Sequence, residues 1–397
     1  MKYSFLVWMC IACWVGVSAQ PQTDSIPQAV HVDSVKWAAR VHPLALENDE
    51  GFVSFEPLDT VVSDYAFFFT GEVHRKKINT QLQLNFLLYL HQTAGVRNLI
   101  IEGGFSYGYL LDVYVRTGNE KILDKVMAVA PICPGNMRKL FQNIREYNQK
   151  LSKSERIRIM GIDIEHAPEL SLQVLHSFLP KEDPPKSLRK RINRIVKAHR
   201  SKFLDEADLK NMFRDLYEDM ERREELYRIY WGQTFPLARL IVENTVQGYD
   251  FNWVNMTFRT DGWKDREERM YDNFLVVQPF LRKGACYGQF GAFHAQLAEG
   301  ISWDFPTIAR KLNQRSNSPV QGKVMAITRY LRDFSSEYER WTDNTELKDM
   351  VQFIEKSYPN RVVLCRLVGS DTPFKEMSKA FQYMIYIDED LEEIQCR

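Results

Sequence analysis

Three apolar runs in this sequence each give way to residues of the kind that move protons. Phe67-Phe68-Phe69-Thr70 leads into Gly71-Glu72-Val73-His74, Asn98-Leu99-Ile100-Ile101 leads into Glu102-Gly103-Gly104, and Ala285-Cys286-Tyr287-Gly288 runs toward Gly291-Ala292-Phe293-His294. If the runs are strands of an open α/β sheet, their carboxyl ends border the crevice in which such sheets bind ligands. Two histidines and two carboxylates meeting there could activate a water molecule. Glu72 and His74 stand two apart, and a carboxylate beside an imidazole favours the charged ring and fixes its tautomer. Glu102 closes a strand, where a charge is costly to bury unless it is paired or does chemistry. His294 ends a second Gly-x-x-His tetrapeptide after a strand, as His74 does the first.

Two further groups join these. Arg266, Met270 and Asn273 fall at i, i+4 and i+7 of a helix expected over about 264–277, so they share one face. That places Arg266 in the first turn, able to hold Glu102, a substrate carboxylate or a developing oxyanion. Asp163 and Glu165, in Gly161-Ile162-Asp163-Ile164-Glu165-His166, form another acidic pair at a strand end. Period two puts both on one side if the strand continues. Each residue also has a plain structural reading: His294 as a core histidine, Arg266 as part of a solvated charged run, Glu102 as a loop-fixing salt bridge.

The elements that must position them alternate. Strands are expected at Tyr65–Thr70, Arg97–Ile101, Arg156–Gly161, Gly284–Gln289, Lys323–Tyr330, Arg361–Leu367 and Tyr383–Ile387, with helices at Thr80–Leu90, Tyr107–Val115 and Asn136–Gln149 among them. Such alternation predicts an α/β fold, a mainly parallel sheet with helices on both faces. Over about 180–245 the strand signals stop. Ile192, Ile195, Val196, His199 and Phe203, then Leu209, Met212, Phe213, Leu216 and Met220, keep helical spacing amid dense charge. This is a helical insertion, either a solvated hairpin or a lid over the site.

Residues 1–19 read as an export signal: Lys2, an apolar stretch from Tyr3 to Val17, and Val17-Ser18-Ala19 as the cleavage site. The stretch is short for a membrane span. Ile11-Ala12 before Cys13 is part of a lipid-attachment pattern, but Cys10 stands where leucine is preferred, so no anchor is expected. Residues 20–40 are a linker and 41–397 a single domain. The 52 basic and 52 acidic residues give a net charge of +0, which excludes a global field for nucleic acid or acidic lipid. Outside the signal, Cys133, Cys286, Cys365 and Cys396 show no zinc-site spacing and suggest no disulfide. No Gly-x-Ser-x-Gly elbow is present, which disfavours a covalent serine mechanism.

Taken in order, these motifs resemble the erythromycin esterase-like family from about Asp64 to Gln296. Gly71-Glu72-Val73-His74 resembles its opening Gly-Glu-x-x-His, Glu102 its second-strand glutamate, and Tyr107 to Gly118 its aromatic-rich follow-on. Ile144 to Asn148 and then Gly161-Ile162-Asp163 are similar to its Arg/Asn helix and Gly-Phe-Asp. Arg266 to Asn273 resembles its Arg-Asp-x-x-Met-Ala-x-Asn helix, and Gly291-Ala292-Phe293-His294 its late His-Asn-x-His. The resemblance implies a hydrolase, and with the signal at residues 1–19 an exported one, acting on an ester or related acid derivative. His74 would be the general base for water, Glu72 and Glu102 would orient base or water, and Arg266 and His294 would hold the carbonyl. It implies a small-molecule substrate and no required cofactor. The chain departs from the pattern in four ways: one residue fewer separates Glu72 from His74, Arg75 replaces a histidine, Glu267 an aspartate and Gly291 a histidine. The same residues also resemble a wider superfamily containing ChaN-like haem-binding lipoproteins and TIKI/TraB-type metalloproteases. There His74, Glu72, Glu102 and His294 would bind a divalent metal or line a haem cavity.

Overall fold

The computed structural model describes residues 34–44, 55–130, 134–201, 205–251, 260–298, 305–330, 344–359 and 361–387. The expected signal, most of the linker, Cys13, Cys133, Cys396 and the acidic tail lie outside the described residues. Eight strands, β1 (Val41–Leu44), β2 (Phe67–Glu72), β3 (Val96–Gly104), β4 (Arg158–Asp163), β5 (Ala285–Gly291), β6 (Val324–Arg329), β7 (Val362–Arg366) and β8 (Tyr383–Ile387), form one sheet in the order β1-β7-β8-β6-β2-β5-β3-β4. The pairs among β8, β6, β2, β5, β3 and β4 are parallel, while β7 runs antiparallel to both β8 and β1. The mainly parallel α/β sheet read from the sequence is the fold observed, extended at one edge by β1.

Burial explains why the strand runs are so apolar. Phe67, Phe68 and Phe69 are all fully buried, so β2 is covered on both faces and cannot alternate polar with apolar residues. Strands of this kind keep their polar groups for the ends. The four neighbours β2-β5-β3-β4 bring their carboxyl ends into one row, about 14 Å across at the usual strand spacing.

One irregularity matters for the site. Ile101 pairs with Gly161 and Gly104 with Asp163, so three steps along β3 match two along β4. The extra residue makes a bulge that holds Glu102 and Gly103, and bulges re-aim side chains at strand ends.

The insertion comprises the helices Arg189–Arg200, Glu206–Arg222 and Glu224–Trp231. Leu209, Met212, Phe213, Leu216 and Met220 are buried, so the helical spacing read from the sequence is a packing face continuous with the main core. The Glu206–Arg222 helix packs on Phe235–Asp250, which in turn contacts Pro168–Ser177 and Thr260–Val277. None of the described helices is long and apolar enough to cross a membrane.

Helix Phe105–Thr117 seats on β4 through two facing glycines. A Cβ at Gly108 would lie 2.2 Å from the Gly161 amide nitrogen and 2.8 Å from the Met160 carbonyl carbon. Backbone meets backbone there, and no side chain can yield. Gly108→Ala is therefore expected to destabilise the fold by about 2 kcal/mol or more in denaturant unfolding. Gly135→Ala, in a helix with open space around the position, should be neutral or stabilising by up to about 1 kcal/mol.

Candidate functional site

Arg266 is the centre of the strand-end row. It lies on the Thr260–Val277 helix and is 6% exposed. Its Nε donates to Asp163 Oδ1 (3.0 Å), and Nη2 donates both to Asp163 and to Glu102 Oε1 (2.8 Å). Of the three roles open to it from sequence, the structure makes the bond to Glu102 and adds one to Asp163. Two turns along the same face, Asn273 Nδ2 donates to the Ile162 carbonyl (2.8 Å), pinning the helix to the end of β4.

His294 closes the other side of Glu102. It sits in the short helix Ala292–Ala295 after β5 and is 3% exposed. Its Nε2 is 3.2 Å from Glu102 Oε1, and its Nδ1 donates to the fully buried Glu267, whose other oxygen accepts from the Ile308 amide. Burial would lower the His294 pKa, but Glu267 and then Glu102 outweigh it and push it up to about 10. The two carboxylates favour the charged ring, although Arg266 Nη1 also lies 3.3 Å from its Nε2. Glu102 Oε2 accepts from the Gly291 amide (2.7 Å). Burial would raise its carboxyl, yet His294, then Arg266 and His74, hold it well below the usual range. Asp163 is likewise kept ionised against burial, by Arg266 and then His166, whose Nε2 is 3.2 Å away.

His74 is in a different situation. Its side chain is 52% exposed, and Nδ1 donates to Glu72 Oε1 (2.8 Å). That bond raises its pKa more than desolvation lowers it, with Glu102 adding to the rise. A Cβ built at Gly291 would lie 3.2 Å from His74 Cε1 and Nε2 and 3.4 Å from His294 Cδ2, so the two rings converge over this glycine. The departure from the family pattern at position 291 thus leaves room for the His74 ring.

All five expected residues, Glu72, His74, Glu102, Arg266 and His294, come together. Asp163 joins them, but Glu165 does not. The strand ends at Asp163, and Glu165 turns back so that Oε1 accepts from the Ser106 amide (2.7 Å) in the first turn of helix Phe105–Thr117. Burial there pushes its carboxyl up to about 7. The sequence reading missed Glu267 as a partner of His294, and it missed Gln289, Asn79 and Arg329. Gln289 had a signal: a long polar side chain inside the apolar run of β5.

The donor set does not suit a divalent metal. A guanidinium already stands among the carboxylates, and both nitrogens of His294 face carboxylates on a ring that stays protonated. Among the described residues, no group of three or more His, Cys, Asp or Glu could hold a metal ion.

Residues 91–283 match the family model for erythromycin esterase, a stretch that includes Glu102, Asp163 and Arg266. The family resemblance is borne out over this stretch, which leaves out Gly71–His74 and Gly291–His294. Among solved structures, a Bacillus cereus protein aligns with 15% identity over 89% of this chain and 96% of its own (TM-score 0.60). A succinoglycan biosynthesis protein aligns with 15% identity over 91% and 97% (TM-score 0.57). An erythromycin esterase mutant, EreC, in its open conformation aligns with 12% identity over 84% and 92% (TM-score 0.59). These likenesses show the fold. No curated protein sequence matches.

The raised pKa of His294 has a consequence for stability. A group protonated more tightly in the folded state contributes stability that is complete below its unfolded pKa, near 6.5, and is lost as pH rises through about 10. Chemical unfolding from pH 6 to 10.5 should therefore show a loss on the order of a few kcal/mol that His294→Gln lacks. Parallel curves for the two proteins would contradict the assignment.

Proposed function

We propose that this chain is an exported hydrolase that cleaves an ester, or a related carboxylic acid derivative, by direct attack of water, with His74 as general base. The observation that carries this reading is the contrast between the two imidazoles over Gly291. His74 is oriented through Nδ1 by Glu72, and its Nε2 has no hydrogen-bond partner among the described residues. A tethered imidazole with one free nitrogen on a half-exposed side chain is the arrangement a water-activating base needs. His294 has both nitrogens engaged and serves as a cation.

The remaining roles follow from charge. Glu102 faces His74 and raises its basicity, and with the neighbouring carboxylates it favours the imidazolium that forms when water loses its proton. Arg266 and His294 supply the positive charge nearest the developing oxyanion. Glu102, Asp163 and Glu267 together exceed those two cations by one charge, so the floor of the crevice suits a neutral or cationic ester better than an anionic one. The family match at residues 91–283, which includes Glu102 and Arg266, supports a hydrolase-like protein, and the composition of residues 1–19 supports export. A small molecule is the expected substrate, no cofactor is required, and no lipid anchor is invoked.

Hydrolysis of a panel of neutral esters by the mature protein tests the reading. His74→Ala should lower kcat by about 100-fold or more with the fold intact. His74 must be neutral to accept a proton, so kcat/KM should climb with pH through an apparent pKa above 6.5. Glu72→Gln should move that limb down toward 6.5 and reduce the plateau about 10-fold. Turnover unchanged in His74→Ala would sink the proposal. Absence of turnover together with a haem absorption band lost in His74→Ala would replace it with a binding protein.

A further inference from the structure

The loop that carries His74 is held from beneath by polar side chains that lie off the crevice. Gln289 Nε2, on β5, donates to Glu72 Oε2 (3.0 Å) and to the Asn79 carbonyl (3.0 Å). Asn79 Nδ2 donates to the carbonyl of Val73 (2.6 Å), the residue between Glu72 and His74. Asn79 Oδ1 in turn accepts from Nη1 of Arg329 (2.6 Å), the last residue of β6. All three side chains are buried.

The direction of this chain is fixed by chemistry. A guanidinium can donate but not accept, so Arg329 determines that the oxygen of the Asn79 amide faces it. The amide nitrogen must then face Val73. The loop needs such restraint, because Arg75, immediately after His74, has φ +69°. A non-glycine residue in the left-handed region costs about 1 kcal/mol or more and persists where its surroundings over-determine it. Without a clamp, the Val73 peptide could rotate, and rotation would swing the Cβ atoms of Glu72 and His74 apart.

We propose that Arg329, acting through Asn79 and together with Gln289, is the positioning device of the Glu72–His74 pair: it clamps the Val73 carbonyl and the second oxygen of Glu72 so that His74 Nε2 is presented over Gly291. None of the three touches reacting atoms; they are positioning residues. The kinetic consequences rest on the reading of His74 as a base, whereas the effect on the orientation of the ring does not.

Asn79→Asp separates this role from a structural one. The aspartate keeps an acceptor for Arg329, and the ion pair preserves the fold, but it cannot donate to Val73. Asn79→Ala and Arg329→Met remove the link more fully. Two measurements are made on each folded variant: ester kinetics, and the tautomer of the neutral His74 ring by nitrogen NMR of histidine-labelled protein, assigned with His74→Gln. Wild type should hold the Nδ1–H tautomer, since Glu72 accepts from it. Asn79→Asp should retain its melting temperature to within a few degrees yet lose kcat about 10-fold with KM little changed. Its His74 ring should shift toward the Nε2–H tautomer favoured by an unrestrained histidine side chain. A variant with the wild-type tautomer and wild-type kcat would overturn the inference, whatever its melting temperature. If wild type turns over no ester, the function proposed above fails and the tautomer alone decides this inference; if Arg329→Met does not fold, the two Asn79 variants decide it.

Discussion

Everything at the crevice depends on one buried guanidinium. Arg266 joins Glu102 on β3 to Asp163 on β4, and Glu102 in turn holds His294 after β5, so a single charge ties three strand ends and a helix into one cluster. Desolvating such groups costs several kcal/mol per ion unless geometry and hydrogen bonds compensate, and leaving one unpartnered is worse. Here each carboxylate is at least doubly bonded: Glu102 to Arg266 and the Gly291 amide, Glu267 to His294 and the Ile308 amide. Packing alone does not account for the cluster, since an apolar core of the same volume would be at least as stable. A charged network kept at that cost is where function is expected.

The same field sets the two histidines apart. Both have raised pKa values, but His294 owes its rise to two carboxylates in a dry pocket, while His74 owes its own chiefly to one hydrogen bond from a loop open to water. The carboxylates around His294 favour keeping its proton at neutral pH. One on His74 can be exchanged with solvent, because half of its side chain is accessible and Nε2 is not engaged. The contrast between a static cation and an exchangeable proton follows from the number of carboxylates around each ring and its access to water, without any difference in residue type.

Much of this was legible in the sequence because parallel strands are apolar throughout and announce their ends by the first charge. Glu72, Glu102, Asp163 and His294 were found by that rule, and Arg266 by helical spacing with Met270 and Asn273. The rule fails where a side chain's direction depends on register. Nothing in Leu99-Ile100-Ile101-Glu102-Gly103-Gly104 states that β3 carries an extra residue against β4, yet that bulge holds Glu102. Glu165 was paired with Asp163 by period two, but the strand ends before the period can act, and the carboxylate instead serves an amide of another helix. β1 was missed because four residues containing a proline carry almost no strand signal. Asn79 and Arg329 were invisible for a further reason: they sit 250 positions apart, and their bond exists only in the folded chain.

The departures from the family pattern become coherent when read as volumes. Glu72, two residues before His74 at the end of β2, is in register with Gly291 on β5. A side chain at 291 would meet that ring within 3.2 Å at its first carbon, so the short loop and the glycine require each other. Glu267, one methylene longer than the aspartate of the pattern, spans His294 and the Ile308 amide from the first turns of its helix. Within this chain the short link and the glycine fit together around the His74 ring. That arrangement brings the half-exposed His74 ring and the buried His294 ring together over Gly291, beside the Arg266–Glu102 pair.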